Sequence, residues 1–445
     1  MSKNIVFNKD VSLKKYENIN TSLYSWEVFN GLKVIFVKKE GFQNYAINFG
    51  CNFGGAVTKY EVDGKIYNIP YGVAHFLEHQ MFEMEGEITN ASDYLAMFGI
   101  ESNAFTSYDK TIYQVNGSDN FQIALNYILD FVQTPYFRKD NIDIERDIII
   151  QEILMYQDSP FQKVRSRLKL NNFGDVSYSH DVTGSVEDVN KIDEDVLNQV
   201  YNHFYVPSNM TIAIIGNFDY QDIYMMIEEN QRKKRIYPSF KAKVINDEIS
   251  NEVIKKDDEM KIDIVDTVVA YAVRVKPNFY NNEDDNNNLL VNICKYDLLC
   301  EVLFGHSSAN FQTIMDNDLA LLGFGCSFIY EAGIPSIRFN GLSHKPEELV
   351  KFLNDVFLNL DEVELDDKYV QALNRASIGS TIRDFNDLST TITDCLEYSI
   401  DGINLFDEYN HYISLNDLRD ITKYIDVNNI NYVFGKSKKN DGKQS

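Results

Sequence analysis

The fold of this chain is decided by the stretch Gly72-Val73-Ala74-His75-Phe76-Leu77-Glu78-His79. In a helix of 3.6 residues per turn, His75, Glu78 and His79 share one stripe, so both imidazoles and the carboxylate point the same way. The opposite stripe is apolar, which predicts that the helix packs into a core. Ionisable groups on such a helix need a partner, and zinc is a partner that two neutral imidazoles four residues apart can bind. An isolated pair of this kind is also typical of surface or hydrogen-bonded core histidines.

A catalytic zinc site usually has three protein ligands and one open position, so a further ligand is needed. A predicted helix from Asn141 to Asp158 offers Glu145 and Glu152, which are seven residues apart and therefore on one stripe. Its apolar run, residues 148–150, is expected to be buried. The alternative for Glu152 is a salt bridge to an arginine.

The two halves of the sequence show the same order of predicted elements: a strand, a helix pair, strands, helices and a final strand. The segment 74–82 aligns with 296–304 through shared apolar positions, while the two histidines become Asp297 and Glu301. This pattern indicates a duplication in which the first copy alone kept its polar chemistry. We predict a first domain at 1–222, a polar linker at 223–260 and a second domain without metal ligands at 261–445.

Composition narrows the class of protein. The 445 residues carry 67 acidic and 42 basic side chains, a net charge of −25, and 44% of them are hydrophobic. An acidic surface disfavours nucleic acid and anionic membranes as partners. The sequence begins without a signal-like segment and has no apolar run of about 18 residues, so a cytoplasmic protein without membrane insertion is expected. Five cysteines without a CxxC pair indicate no thiolate zinc site.

Further motifs surround the histidines, and together they resemble one known family. They comprise HxxEH at 75–79 with ExxxxxxE at 145–152, Asn30-Gly31-Leu32, Asn103-Ala104-Phe105-Thr106-Ser107, Thr183-Gly184-Ser185, and Tyr205-Val206-Pro207-Ser208-Asn209. This set is similar to the inverted-motif zinc peptidases of the pitrilysin or M16 family. The resemblance covers roughly residues 26 to 218. It implies an α+β fold of two homologous domains, each a mainly antiparallel sheet covered by helices, which is half of the clamshell used by the family.

The resemblance also implies roles for individual residues. His75, His79 and Glu152 would bind one Zn²⁺ per chain, Glu78 would be the general base for a metal-activated water, and Glu145 would support the site. Asn103, Ala104 and Phe105 would lie on an edge strand to which a peptide substrate adds. From the residues alone, an ordinary hairpin explains that last segment equally well.

The second half departs from the family pattern. Active members carry an Arg and a Tyr after a helix start like that at 305–311, and residues 315–324 contain neither. Together with the length, this predicts a two-chain endopeptidase in which a homologous metal-free subunit supplies them, as in bacterial members associated with processing of ribosomally made peptides. The alternatives are a homodimeric peptidase, with Tyr330 or Arg338 as substitutes, and a non-catalytic peptide-binding scaffold with structural zinc.

Overall fold

The computed structural model describes residues 11–86, 90–234, 237–279, 287–360, 366–408 and 410–438. These residues form two compact units, and each unit is built from three segments of the chain. The first unit comprises Met1–Ile149, Val182–Ile245 and Ile382–Phe406, and the second comprises Ile150–Asp181, Asn246–Thr381 and Asp407–Ser445. The predicted domain boundaries at 222 and 261 divide the sequence into its two repeats. The compact units are a different division of the chain, so these boundaries stay predictions.

The first unit contains a seven-stranded sheet and a small three-stranded sheet. Their strands are β1 (Ser12–Tyr16), β2 (Thr21–Glu27), β3 (Lys33–Lys39), β4 (Tyr45–Cys51), β5 (Lys59–Val62), β6 (Lys65–Asn68), β7 (Glu101–Thr106), β8 (Thr111–Gly117), β9 (Met210–Gly216) and β10 (Lys243–Val244). The large sheet has the order β1-β2-β3-β9-β4-β8-β7, and the small one β10-β5-β6. Among the described strand pairs of this unit, β3–β9 alone is parallel. Strand β4 is buried along its whole length, as expected for a central strand covered on both faces.

The helices that begin in the first unit are grouped around the large sheet. They are α1 (Val73–Gln80), α2 (Ala91–Ala96), α3 (Phe121–Val132), α4 (Lys139–Asp158), α6 (Val186–Val189), α7 (Glu194–Phe204), α8 (Tyr220–Arg232), α13 (Leu388–Ile400) and α14 (Leu405–Glu408). Helix α4 continues past Ile149, the last residue assigned to this unit in that segment.

The second unit contains one five-stranded sheet with the order β11-β15-β12-β14-β13. Its strands are β11 (Asp257–Ile262), β12 (Thr267–Val275), β13 (Gly325–Glu331), β14 (Ile334–Ser343) and β15 (Ile425–Ser437). Its helices are α5 (Pro160–Phe173), α9 (Asn287–Phe304), α10 (Ala309–Asp316), α11 (Pro346–Leu358), α12 (Asp367–Asp384) and α15 (Leu415–Thr422).

The pairing of the strands confirms the duplication. If the strands of each copy are numbered along the chain, β3, β4, β7, β8 and β9 pair in the order 1-5-2-4-3, and β11 to β15 pair in the same order. In both copies the first and last strands are parallel and the other pairs are antiparallel. The predicted α+β fold of two homologous domains is therefore confirmed.

In each unit, one helix packs against the large sheet at the position of a glycine. In the first unit α13 packs on β4 and β9, and a Cβ at Gly50 would lie 2.8 Å from Leu396 Cδ2. In the second unit α5 packs on β12 and β15, and a Cβ at Gly435 would lie 2.6 Å from Val164 Cγ2. Contacts this short mean that a larger side chain at either glycine would require the neighbouring side chain or its helix to move.

One local expectation differs from the structure. The predicted linker at 223–260 begins within helix α8, because Ile223 and Ile227, four residues apart, are buried beneath its charged face. The predicted end of the earlier helix at Asp158 is confirmed, and Pro160 begins the next helix, α5, where its fixed φ suits the first turn.

Among the described residues, no helix combines the length and the apolar character needed to cross a bilayer.

The packing of α13 predicts a large loss of stability on truncation of Leu396, which is fully buried. Leu396→Ala should lower the free energy of unfolding by about 2 to 5 kcal/mol, because it leaves a cavity between the helix and the sheet. The control is Leu358→Ala on α11, where the side chain is 59% exposed, and a change within about 0.5 kcal/mol is expected. Urea unfolding followed by circular dichroism measures both, and equal effects would contradict the packing.

Candidate metal centre

Helix α1 is positioned by a close approach of two backbone segments. Gly72, the residue before the helix, has φ +83°, and a Cβ there would lie 2.4 Å from the carbonyl oxygen of Thr183. Gly184 has φ +72°, and its Cβ would lie 2.7 Å from the carbonyl oxygen of Tyr71. Both positions need glycine for conformation and for space. The segment at Gly72 and the motif Thr183-Gly184-Ser185 therefore contact each other in the structure.

The two inner ionisable residues of α1 are nearly enclosed. His75 and Glu78 are each 8% exposed. The Thr106 hydroxyl, at the end of β7, donates a hydrogen bond of 2.6 Å to Glu78 Oε2. This bond orients the carboxylate.

Helix α4 is held in place by contacts of its first two turns with the segment after α1 and the segment after α6. Asn141 Nδ2 donates to Glu83 Oε2 at 2.9 Å, and Arg146 Nη2 donates to the carbonyl oxygen of Ile192 at 2.7 Å. Ile149 is fully buried, whereas Ile148 is 49% exposed. The expectation that all of 148–150 is buried was wrong, because the helical period turns Ile148 to the outer face.

The structure brings the predicted ligands together. One ligand atom from each of His75, His79 and Glu152 lies within 4.8 Å of the others. Within the described parts of the chain, this is the one group of three or more such residues that is close enough to hold a metal ion. Glu145 Oε2 lies 3.2 Å from His79 Nδ1, which leaves the other ring nitrogen of His79 for a metal and fixes the ring orientation.

The protonation state of His75 suits a metal ligand. Burial, with a smaller contribution from His79, lowers the pKa of His75 to about 3. The imidazole is therefore neutral at physiological pH, which is the form that binds metal. Two imidazoles and one carboxylate are the donor set of known catalytic zinc sites. The residues present fit zinc.

The predicted substrate-binding residues lie on the free edge of the large sheet. Asn103, Ala104 and Phe105 belong to β7, the last strand in the sheet order. Ala104 pairs with Tyr113 and Thr106 with Thr111, so these alternate residues share the face of the sheet on which Thr106 meets Glu78. Asn103 and Phe105 lie on the opposite face. Binding of a peptide by these residues stays a prediction.

Among its described side chains, the corresponding helix of the second unit carries no comparable set of ligands. On α9, Asp297 and Glu301 take the aligned places of His75 and His79, and burial raises the pKa of Asp297 to about 6. The candidate substitute Arg338 is engaged within this unit, since its Nη2 donates to Tyr178 Oη at 2.6 Å and its Nη1 lies 3.8 Å from Glu331.

Comparison with known proteins identifies the family. The family model for insulinase, peptidase family M16, matches residues 64–182, and the model for the peptidase M16 inactive domain matches 191–376. The chain belongs to the M16 peptidase family. The first of these matches includes all three candidate ligands and Glu78.

Individual relatives agree with this assignment. The chain is 28% identical to the uncharacterized zinc protease YmfH of Bacillus subtilis over 92% of this chain and 94% of that protein. Its fold is similar to that of an M16-like peptidase from Alicyclobacillus acidocaldarius, with a TM-score of 0.86, 21% identity, and coverage of 98% of this chain and 100% of the other. It also matches the periplasmic protease PqqL of Escherichia coli, with a TM-score of 0.74 and 17% identity, over 94% of this chain but 48% of PqqL.

Some residues of the site escaped the sequence interpretation. Thr106 was quoted as part of a motif without a role, and neither Asn141 nor Glu83 was assigned a role, although they join α4 to the segment that follows α1. The spacing of Thr106 from Glu78 follows no local period, so only knowledge of the strand position could have found it.

The lowered pKa of His75 predicts acid sensitivity of the metal-free protein. The unfolded chain binds a proton with a pKa near 6.5 and the folded one with a pKa of about 3, so stability is complete above 6.5 and falls as the pH decreases. Between pH 7 and pH 5, His75 should remove about 2 kcal/mol from the free energy of unfolding. Urea unfolding with a chelator present should show a shallower pH dependence for His75→Gln. Identical pH profiles would contradict the lowered pKa.

Proposed function

We propose that this chain is a zinc-dependent endopeptidase subunit in which His75, His79 and Glu152 bind the ion and Glu78 is the general base. One observation carries the proposal. The three ligand atoms lie within 4.8 Å of one another, and Glu78 is on the same helix face as the two histidines. A structural zinc site has no use for a buried carboxylate beside its ligands, so the retention of Glu78 favours catalysis over a scaffold.

Zinc bound at such a site supplies Lewis-acid polarisation of a carbonyl and activation of water. The residues of the chain account for the movement of protons. Glu78 accepts a proton from the attacking water at a carboxylate oxygen and delivers it to the nitrogen of the leaving amine. Thr106 keeps that carboxylate in place through its hydrogen bond to Oε2, and Glu145 keeps His79 oriented through Nδ1.

The substrate is a peptide in extended conformation. Strand β7 ends at Thr106 and is the free edge of its sheet, so a peptide that pairs with its backbone passes the general base. Backbone pairing is independent of sequence, which suits an enzyme for oligopeptides or unfolded segments. Processing of a ribosomally made peptide is one such role.

The active enzyme contains a second, homologous subunit without metal. Support comes from residues 315–324, which lack the Arg and Tyr of active family members, and from Arg338, which is engaged with Tyr178. The chain also covers only 48% of PqqL, a protease of the same fold. A homodimer and a non-catalytic scaffold remain the competing hypotheses.

Glu78→Gln tests the general base. Purified wild-type protein should contain about one zinc per chain, and the variant should keep that zinc but lose turnover by a factor of about 100 or more, because the amide cannot accept the proton. Metal analysis of the purified chain measures the first property, and cleavage of a fluorogenic peptide by the chain combined with its homologous subunit measures the second. The matched control is Glu152→Gln on α4, which should lose zinc as well as activity. Unchanged turnover in Glu78→Gln would refute the role of Glu78.

Mixing experiments test the partner. Peptide cleavage should appear only when the zinc-loaded chain is combined with its homologous metal-free subunit, and light scattering should show a one-to-one complex. Cleavage by the chain alone as a dimer would establish the homodimer instead. Zinc binding without cleavage in either preparation would favour the scaffold.

A further inference from the structure

Helix α4 carries two separate rows of apolar side chains. One row is buried and consists of Ile142, Ile149 and Ile153. The other row is exposed and consists of Ile144, Ile148 and Met155, whose exposed fractions are 61%, 49% and 61%. Spacings of four and seven residues place the members of each row along one line of the helix. The second set is called the exposed row below.

The metal-binding line of α4 lies between these two rows. At 3.6 residues per turn, the line through Glu145 and Glu152 is about 70° from the buried row on one side and about 70° from the exposed row on the other. The core of the chain covers the buried row. The exposed row therefore borders the metal centre on the side that this core does not cover.

Such a row is unusual for this chain. Apolar side chains that are scattered singly over a surface are normal, whereas a continuous apolar surface marks a site of interaction. Among the described residues, no other helix has more than one large apolar side chain that is exposed. Spacings of four and seven residues are those of a helix face that packs on another element of structure. The row is therefore suited to contact with a second folded surface.

The incomplete site indicates which surface this is. Residues 315–324 lack the Arg and Tyr of active family members, and the proposed function takes them from a homologous subunit. An arginine that contacts a peptide carbonyl at the metal has to come from a backbone within one side-chain length of Glu152. Because the chain's own core fills the side of the buried row, the subunit that carries this arginine approaches across the exposed row.

Carboxylates border the exposed row on the side away from the metal-binding line. Asp140, Asp147 and Asp158 are exposed, and their spacings of seven and eleven residues place them on one line of α4. Interfaces commonly have an apolar centre and a polar margin, with charges of opposite sign facing each other. The surface that covers the row is therefore expected to carry apolar side chains at its centre and Lys or Arg at this margin.

We propose that the exposed row of α4 is the docking surface for the homologous metal-free subunit. That subunit packs an apolar surface with a basic margin against Ile144, Ile148 and Met155, and thereby closes the metal centre. This inference rests on the proposed peptidase function, since that function requires the subunit. It adds the surface through which the subunit completes the site.

The test variant combines Ile144→Gln with Ile148→Gln. Both side chains are exposed and glutamine is a better helix former than isoleucine, so zinc content and Tm should stay unchanged. The affinity for the purified metal-free subunit, measured by isothermal titration calorimetry, should fall by about tenfold or more, because the apolar centre of an interface contributes most of its binding free energy. Affinity should also fall as NaCl rises from about 0.05 to about 0.5 M, because salt screens the carboxylate margin.

The matched control is Leu358→Gln on α11, where the side chain is 59% exposed. This variant also replaces an exposed apolar side chain of a helix by glutamine, but away from the metal centre. Its affinity for the subunit should stay within about twofold of wild type, as expected for a surface position outside the interface.

Radical labelling of the wild-type chain tests the same surface without any substitution. Met155 is 61% exposed and should be oxidised readily in the free chain. Addition of the metal-free subunit should slow its oxidation by about threefold or more, because the interface excludes solvent. Met225 on α8, which is 36% exposed, provides the internal reference and should keep its rate.

Binding measured with zinc-loaded Glu78→Gln protein separates failure of this inference from failure of the proposed function. Loss of subunit affinity in the Ile144→Gln and Ile148→Gln variant supports the docking surface even if no peptide is cleaved. Cleavage by the chain alone, salt-independent association, or unchanged subunit affinity in the variant overturns the inference and leaves the zinc peptidase intact. A raised KM for peptide with unchanged subunit affinity overturns it in favour of substrate. Dimerisation of the chain alone that the variant abolishes overturns it in favour of a second copy.

Discussion

The candidate site depends on one constraint, the backbone contact between Gly72 and the segment Thr183–Gly184. Because a Cβ at Gly72 would lie 2.4 Å from a carbonyl oxygen, the start of α1 has a single place in which it fits. That place directs His75, Glu78 and His79 inward along the helix. Every later feature of the centre, including the bond from Thr106 to Glu78 and the approach of α4, is built on this fixed helix start.

Burial then determines the chemistry of the residues that α1 carries. His75 is neutral because its enclosure disfavours the charged form, so the free energy spent in burying it is recovered when a cation binds. Glu78 keeps its carboxylate oriented by a hydroxyl from a different element of structure. The same sheet thus provides the edge strand for a peptide and Thr106, which orients Glu78. Helix α1 packs on two of its strands, β7 and β8.

Much of this could be predicted from the sequence, and the reason lies in local periodicity. The stripes of α1 and α4 follow from spacings of three, four and seven residues. Contacts between segments far apart in sequence could not be predicted in this way: Thr106 with Glu78, Asn141 with Glu83, and the packing of Gly50 against Leu396. Helix α13 itself escaped, since its polar residues Asp394 and Glu397 interrupt the apolar pattern. Ile148 shows the opposite error: it was expected to be buried because it is apolar, but the helical period places it on the exposed face of α4.

The assignment of α13 to the first unit has a consequence for how the protein is made. The sheet of that unit is built from residues 12–216, but the helix that covers β4 and β9 lies at 388–400. A ribosome therefore has to release nearly the whole chain before Leu396 can reach Gly50. Until then the face of β4 and β9 that α13 covers in the folded protein is exposed. In the order of translation, the duplicated halves cannot mature one after the other.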